Sequence, residues 1–184
     1  LFLFYSFFLN AQYINYSQFY SSPHSLNPAL SGSGEFGRIG VIYRNQWPLI
    51  DNGYQFFTSW IDYNLAKSNF SFGINFSNEK VGINSLSTSH VSPSLSYEIN
   101  LSYDWVIRSG IQISYTNSNF DSQNLLFYDQ FQQNGSINPT LENLSAFEKV
   151  NYLNLAVGLI AYSNNVWLGA SIYNLPKPNI SFSD

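Results

Sequence analysis

From Arg38 onward, apolar side chains recur at every second position, the period of a strand with two unlike faces. Phe70, Phe72, Ile74 and Phe76 alternate with Ser71, Gly73, Asn75 and Ser77. Trp105, Ile107, Ile111, Ile113 and Tyr115 interleave with Arg108, Gly110, Gln112, Ser114 and Thr116. Further strands are predicted over residues 38–44, 54–65, 86–99, 151–163 and 165–175, giving about seven in all. Several reach ten residues or more, against a usual ~5–6. A tilted transmembrane β pass takes about 9–11. The fold class read from this pattern is all-β, an antiparallel transmembrane β-barrel of the outer membrane with one greasy and one small polar face. Within 86–99 the alternation weakens, and Pro93 removes a ladder donor. One short helix is expected, over 141–150. No apolar run reaches the ~18 residues of a helical span.

Connection lengths bear on the same reading. With the N-terminus periplasmic, the outer connections fall at about 45–53, 77–85 and 117–150, and the inner ones near 66–69, 100–103 and 164. Long external loops and tight periplasmic turns are the asymmetry of outer-membrane barrels. Tyr43, Trp47, Tyr54, Trp105, Tyr115, Tyr162 and Trp167 lie at strand ends, where interfacial girdles form. A soluble β-domain shares the alternation but gives no reason for the loop asymmetry.

The apolar stretch over 1–9, followed by Asn10-Ala11-Gln12, has the length of a signal-peptide core, so 1–11 is expected to be its remnant. Residues 12–37 then form an N-terminal periplasmic or plug-like segment, and 38–184 the first part of the barrel, with a long external loop over about 117–150. The chain has no Met and opens on Leu1. Closed bacterial barrels use an even strand number. Seven strands are therefore expected to be an N-terminal fragment.

Composition narrows the classes. Charged residues make up 10% of the chain and aromatics 18%, which argues against disorder and against a coiled coil. Seven Lys+Arg against eleven Asp+Glu leave a formal charge of -4, without the clustered cations that a nucleic-acid partner requires. The absence of Cys excludes disulfides, thiolate metal sites and a Cys nucleophile. His24 and His90 lie in separate segments without metal-ligand spacing, and no phosphate loop or dinucleotide fingerprint occurs. His90 shares a strand face with Ser92 and Ser94, but in so Ser-rich a chain this carries no catalytic signal. No catalytic, cofactor or metal residues are assigned, and no cofactor is expected.

Two blocks are not explained by alternation: Tyr16-Ser-Gln-Phe-Tyr-Ser-Ser-Pro-His-Ser-Leu-Asn-Pro-Ala-Leu-Ser-Gly32 and Arg38-Ile-Gly-Val-Ile-Tyr-Arg-Asn-Gln-Trp-Pro48. In this order they resemble the opening of the PorP/SprF family of type IX secretion membrane proteins from Bacteroidetes. Leu126-Phe-Tyr-Asp-Gln130 and Asn174-Leu-Pro-Lys-Pro-Asn-Ile-Ser-Phe182 are similar to later elements of that family. The resemblance runs from Tyr16 to Phe182. It implies a non-enzymatic outer-membrane accessory that assists export or surface attachment of a partner protein, a gliding adhesin among the candidates. Its partners would be outer-membrane lipid and a secreted surface protein or other type IX secretion components.

The family-motif residues with a structural or partner-binding role are Gln18, Phe19, Tyr20, Asn27, Pro28, Arg44, Asn45, Gln46, Trp47, Pro48, Asp129 and Gln130. Asn27-Pro28 is a turn-forming pair, packing inside the barrel or touching a partner. Arg44 has the fork to bind carboxylates. Phe120, Leu125, Leu126, Phe127, Tyr128 and Phe131 in the long loop either form a protein-binding surface or fold back into the lumen. The rival reading is a porin or hydrophobic-solute channel. A channel calls for an inward ring of charge, whereas the inward positions are mostly Ser, Asn, Gly, Thr and Gln, with Arg108 an isolated charge.

Overall fold

The computed structural model describes residues 22–49, 53–65, 67–82, 86–120 and 149–176. A short helix, α1 (Pro23–Leu26), and a 3₁₀ turn (Pro28–Leu30) precede seven strands. These are β1 (Arg38–Gln46), β2 (Tyr54–Asn64), β3 (Phe70–Val81), β4 (Leu86–Asn100), β5 (Val106–Phe120), β6 (Lys149–Tyr162) and β7 (Trp167–Ile172). Each pairs antiparallel with the next, in the order β1 to β7, as a curled half-barrel.

Register carries the side-chain alternation from strand to strand. Cα partners Asn64–Ser71, Ser71–Ser96, Ser96–Gly110, Gly110–Gly158 and Gly158–Ser171 form one row of small residues across β2 to β7. The next inward row runs Arg38–Asp62–Gly73–Ser94–Gln112–Ala156. On this inner face Thr58, Ser71, Ser96, Gln112 and Thr116 are buried. Ile39, Val41, Phe72, Ile74, Leu95, Ile111, Ile113 and Leu159 stand exposed on the other. Among described residues only Ala29, Phe56, Ala156 and Ile160 are buried hydrophobics. This is the reverse of a water-soluble sandwich and the arrangement of a membrane barrel. No described helix is long and apolar enough to cross a membrane, which leaves strand passes untouched.

On the outer face, aromatics pair across neighbouring strands near the short-turn end, Phe70 with Tyr97 at 4.7 Å and Tyr63 with Phe72 at 5.9 Å between centroids. Tyr43, Trp47, Trp105, Tyr115 and Trp167 are exposed, as a girdle requires, but Tyr54 and Tyr162 turn inward. Tyr162 donates to Glu98 Oε2 at 3.3 Å, and Tyr54 lies beneath the Arg44 guanidinium.

Several expectations are corrected. The helix over 141–150 is displaced at its end, because β6 already includes Lys149 and Val150; the rest lies outside the described residues. β3 runs to Val81 and β5 to Phe120, longer than the alternation indicated. As a result the connection at 82–85 is as short as those at 65–69 and 101–105, and the asymmetry of connection length rests on 47–53 and 121–148. Pro93 acts as its chemistry requires: the β4–β5 pairing skips Ser92 and Pro93, then resumes in the same register.

Candidate functional site

Residues 22–33 cross the inner face of the sheet as a strap. Their path follows from local chemistry. Pro23 and Pro28 each open a helical turn, where a fixed φ is favourable and the missing N–H costs nothing. Between them Asn27 is extended, at φ -160 and ψ 125, and its Oδ1 accepts the Ala29 N–H at 2.9 Å, an N-cap on the second turn. Gly32 then reverses the chain at φ 61, where a Cβ would also press to 2.9 Å from the Tyr63 carbonyl and Ser71 Oγ.

The strap is bonded along its whole length. Ser171 on β7 donates to the Leu26 carbonyl at 3.0 Å. Asn27 Nδ2 donates to the carbonyls of Leu159 on β6 (3.3 Å) and Ala170 on β7 (3.0 Å). Arg108 on β5 donates through Nε to Ala29 O (3.0 Å) and through Nη2 to Ser31 O (2.7 Å). Ser96 on β4 donates to the same Ser31 carbonyl at 2.7 Å, and Ser31 Oγ meets Ser94 Oγ at 2.7 Å. At β2 the Gly32 N–H donates to Asp62 Oδ2 at 2.9 Å. At β1 Arg38 Nη2 donates to Leu30 O and Ser33 Oγ. The row of small residues makes this approach possible. A Cβ on Gly110 would collide with the backbone of Pro28 and Ala29, and one on Gly158 with Asn27 Oδ1.

Two ion pairs hold the strap's polar groups in place. Arg108 is buried, and its charge is met by Glu98 Oε2, 2.6 Å from Nη1. The expectation of an isolated Arg108 is therefore corrected: its partner stands directly opposite in the β4–β5 register. Asp62, fully buried, is clamped by the Nε and Nη2 of Arg38. Buried charges need such matching, because an unpaired one costs several kcal/mol or so.

His24 lies between these groups. Its Nδ1 pairs with Ser31 Oγ at 2.9 Å, Nε2 is 3.7 Å from Asp62 Oδ2, and the ring meets Trp60 edge-on at 5.4 Å. Burial pushes the imidazole down to about 4; the Asp62 carboxylate pulls the other way, and Arg38 adds to the lowering. His24 is thus neutral at pH 7. Ser31, His24 and Asp62 have the membership of a hydrolytic triad, a juxtaposition invisible in the sequence. All three are at most 2% exposed, and Ser31 Oγ is already bonded to Ser94. No substrate carbonyl has access, and the arrangement acts as a polar latch.

Of the motif residues, Asn27 and Pro28 lie buried in the strap. Arg44, Asn45, Gln46, Trp47 and Pro48 gather at the far end of β1, a strand roughly 26 Å long. The two groups are not brought together. Arg44 places its guanidinium over the rings of Tyr54 (4.8 Å) and Phe56 (5.8 Å). Trp47 is exposed at φ 57, a left-handed conformation unusual for a bulky residue. Gln18, Phe19, Tyr20, Asp129 and Gln130 lie outside the described residues. Arg38, Asp62, Ser96, Glu98, Arg108, Gly110 and Gly158 all build the site, yet sequence reading gave none of them a site role; it marked Arg38 only as the start of a motif block and Arg108 only as an isolated charge.

Beyond the strap the inner face carries neutral donor–acceptor pairs and, toward the outer rim, Arg44 over Tyr54 and Phe56. His90 Nδ1 pairs with Thr116 Oγ1 at 2.8 Å, and Thr88 Oγ1 with Ser118 Oγ at 2.9 Å. No group of three or more potential metal ligands occurs among the described residues. Compared with known proteins, residues 8–184 match a family model described as type IX secretion system membrane protein PorP/SprF. No curated protein and no solved structure matches the chain.

Proposed function

The chain belongs to the PorP/SprF family of type IX secretion membrane proteins, and we propose that it serves there as a non-enzymatic outer-membrane accessory to the export or surface attachment of a partner protein. The inside-out distribution of its side chains supports a lipid-facing barrel wall. The seven described strands supply that wall, and no described helix is long and apolar enough to span it.

The observation that favours an accessory over a passive channel is the strap. A porin lumen keeps an aqueous path bordered by charge. Here residues 22–33 lie across the face that would line it, and the inward charges nearest to them, Arg38, Asp62, Glu98 and Arg108, are spent on one another and on the strap. We therefore assign residues 12–37 a plug-like role. The outer rim, which carries Trp47 and Pro48, and the connection beyond Phe120 offer exported protein surfaces for contact.

A strain lacking the gene, compared with wild type by surface proteomics with small-solute uptake assayed in parallel, tests this reading. Loss of one or a few surface proteins, restored by complementation and with uptake unchanged, is expected. An unchanged surface with impaired uptake would establish the channel instead.

A further inference from the structure

We propose that the inner face crossed by the strap is a peptide groove, and that an uncharged segment of a partner protein, folded in the same pair of short turns, occupies it in place of residues 22–33. The inference rests on the reading of the barrel as a binder of exported or secretion proteins and specifies where and how such a partner is held.

The strap is held as a ligand is held. Most of its bonds to the sheet use its backbone: the carbonyls of Leu26, Ala29, Leu30 and Ser31, and the N–H of Gly32. Any chain that adopts the same two turns offers these groups. Side-chain recognition comes from Asn27, which reaches β6 and β7, Ser31, which meets Ser94, Ser33, which accepts from Arg38, and the buried ring of His24. Apolar anchoring is slight, since Leu26 is 38% exposed and only Pro28 and Ala29 are buried apolar residues. Polar, hydrogen-bonded interfaces of this kind are those of transient partners, while permanent ones resemble a divided hydrophobic core.

The walls also define the occupant. Gly110 and Gly158 leave no space above them for more than a backbone and a small side chain. Arg108 and Asp62 are already matched by Glu98 and Arg38, so a charged segment would bring an unpaired charge into a buried site. Arg108 Nε and Nη2 require two carbonyls two residues apart, and the β6–β7 carbonyls require a side-chain amide two residues before the first of them. One further acceptor is unfilled: Gln112, one inward position along β5 from Gly110, is 4% exposed, and its Oε1 has no partner. A segment with an amide side chain, then two small residues, fits this set; a lipid chain or small solute does not.

The test uses the full chain, folded in detergent, with a protease site placed at 34–36 so that the strap can be cut after folding. The probe is a labelled peptide of residues 22–33. We expect the cut strap to exchange with it and binding to saturate. A peptide with Asn27→Ala or Ala29→Asp should bind about tenfold more weakly, and Arg108→Gln in the barrel should have a similar effect. Ser96→Ala, which removes one bond to Ser31 O, should weaken binding a few-fold and serves if Arg108→Gln does not fold. A cut strap that never exchanges, or equal binding of a scrambled peptide, would overturn the groove. Either result would leave the secretion role standing, because surface proteomics decides that separately.

Discussion

Asn27 reaches across the sheet with one side-chain nitrogen to the Ala170 carbonyl, 3.0 Å away and 143 residues later in the chain. The same nitrogen reaches the Leu159 carbonyl on the neighbouring strand. Replacing Asn27 with Ala removes both bonds and the cap on Ala29 N–H, and is expected to cost about 1–3 kcal/mol. Asn27→Asp should cost more, because it turns a carboxylate toward two carbonyl oxygens. Reversible unfolding in detergent, with both variants beside the parent protein, measures the order.

Gly158 and Gly110 set the clearance beneath the strap. Gly158→Ala places a methyl group where Asn27 Oδ1 lies, and Gly110→Ala places one against the Pro28–Ala29 backbone. Each should displace the strap at a cost of about 1–3 kcal/mol. Limited proteolysis at residues 33–37 should then become faster. Gly82→Ala is the control, since a Cβ there meets nothing within 4 Å, although its φ of 80 makes a small strain cost of its own.

The latch should respond to acid. His24 titrates at about 4 in the folded protein against 6.5 unfolded, because burial penalises the imidazolium. The folded state therefore binds fewer protons between those values, and stability rises with pH across that window. The contribution is fully present above about pH 6.5 and falls progressively as pH drops toward 4. Unfolding measured from pH 7 to 4 should show this slope in the parent protein and a flatter one in His24→Gln. Equal slopes would remove His24 from the account.

The strands were legible because one face of each is greasy and the other small and polar, a contrast that period-two alternation reports directly. The strap was only half legible. Asn27-Pro28 stood out as a turn-forming pair within a motif, but its partners Leu159, Ala170 and Gly158 lie far along the chain and carry no local mark. Arg108 looked alone because Glu98 sits ten residues away, beyond a turn. Folding the sequence about that turn places them opposite each other, so register was the signal that could have paired them. Asp62 passed as a polar member of an alternating strand, and nothing local marks it as the group that receives Gly32 and Arg38. Strand lengths were underestimated at β3 and β5, where apolar alternation fades toward the rim while backbone pairing continues.

The two faces of the sheet should tolerate opposite changes. Ile74, outward near the middle of β3, should cost about 2–4 kcal/mol when changed to Arg, the depth-dependent penalty of a charge facing lipid. Thr88, inward near the rim beside Ser118, should tolerate the same change far better. Folding yield into lipid vesicles distinguishes them, and equal sensitivity would contradict the assignment of lipid and lumen faces.

A cysteine pair decides whether residues 22–33 lie across the inner face of a membrane barrel. Ser31 and Ser94 bring their hydroxyls within 2.7 Å, and the chain has no natural cysteine to interfere. With Ser31→Cys and Ser94→Cys together, the account predicts a disulfide formed under mild oxidation in the outer-membrane fraction of the native host, absent from either single variant. Two free thiols, both open to a membrane-impermeant reagent after oxidation, would contradict it.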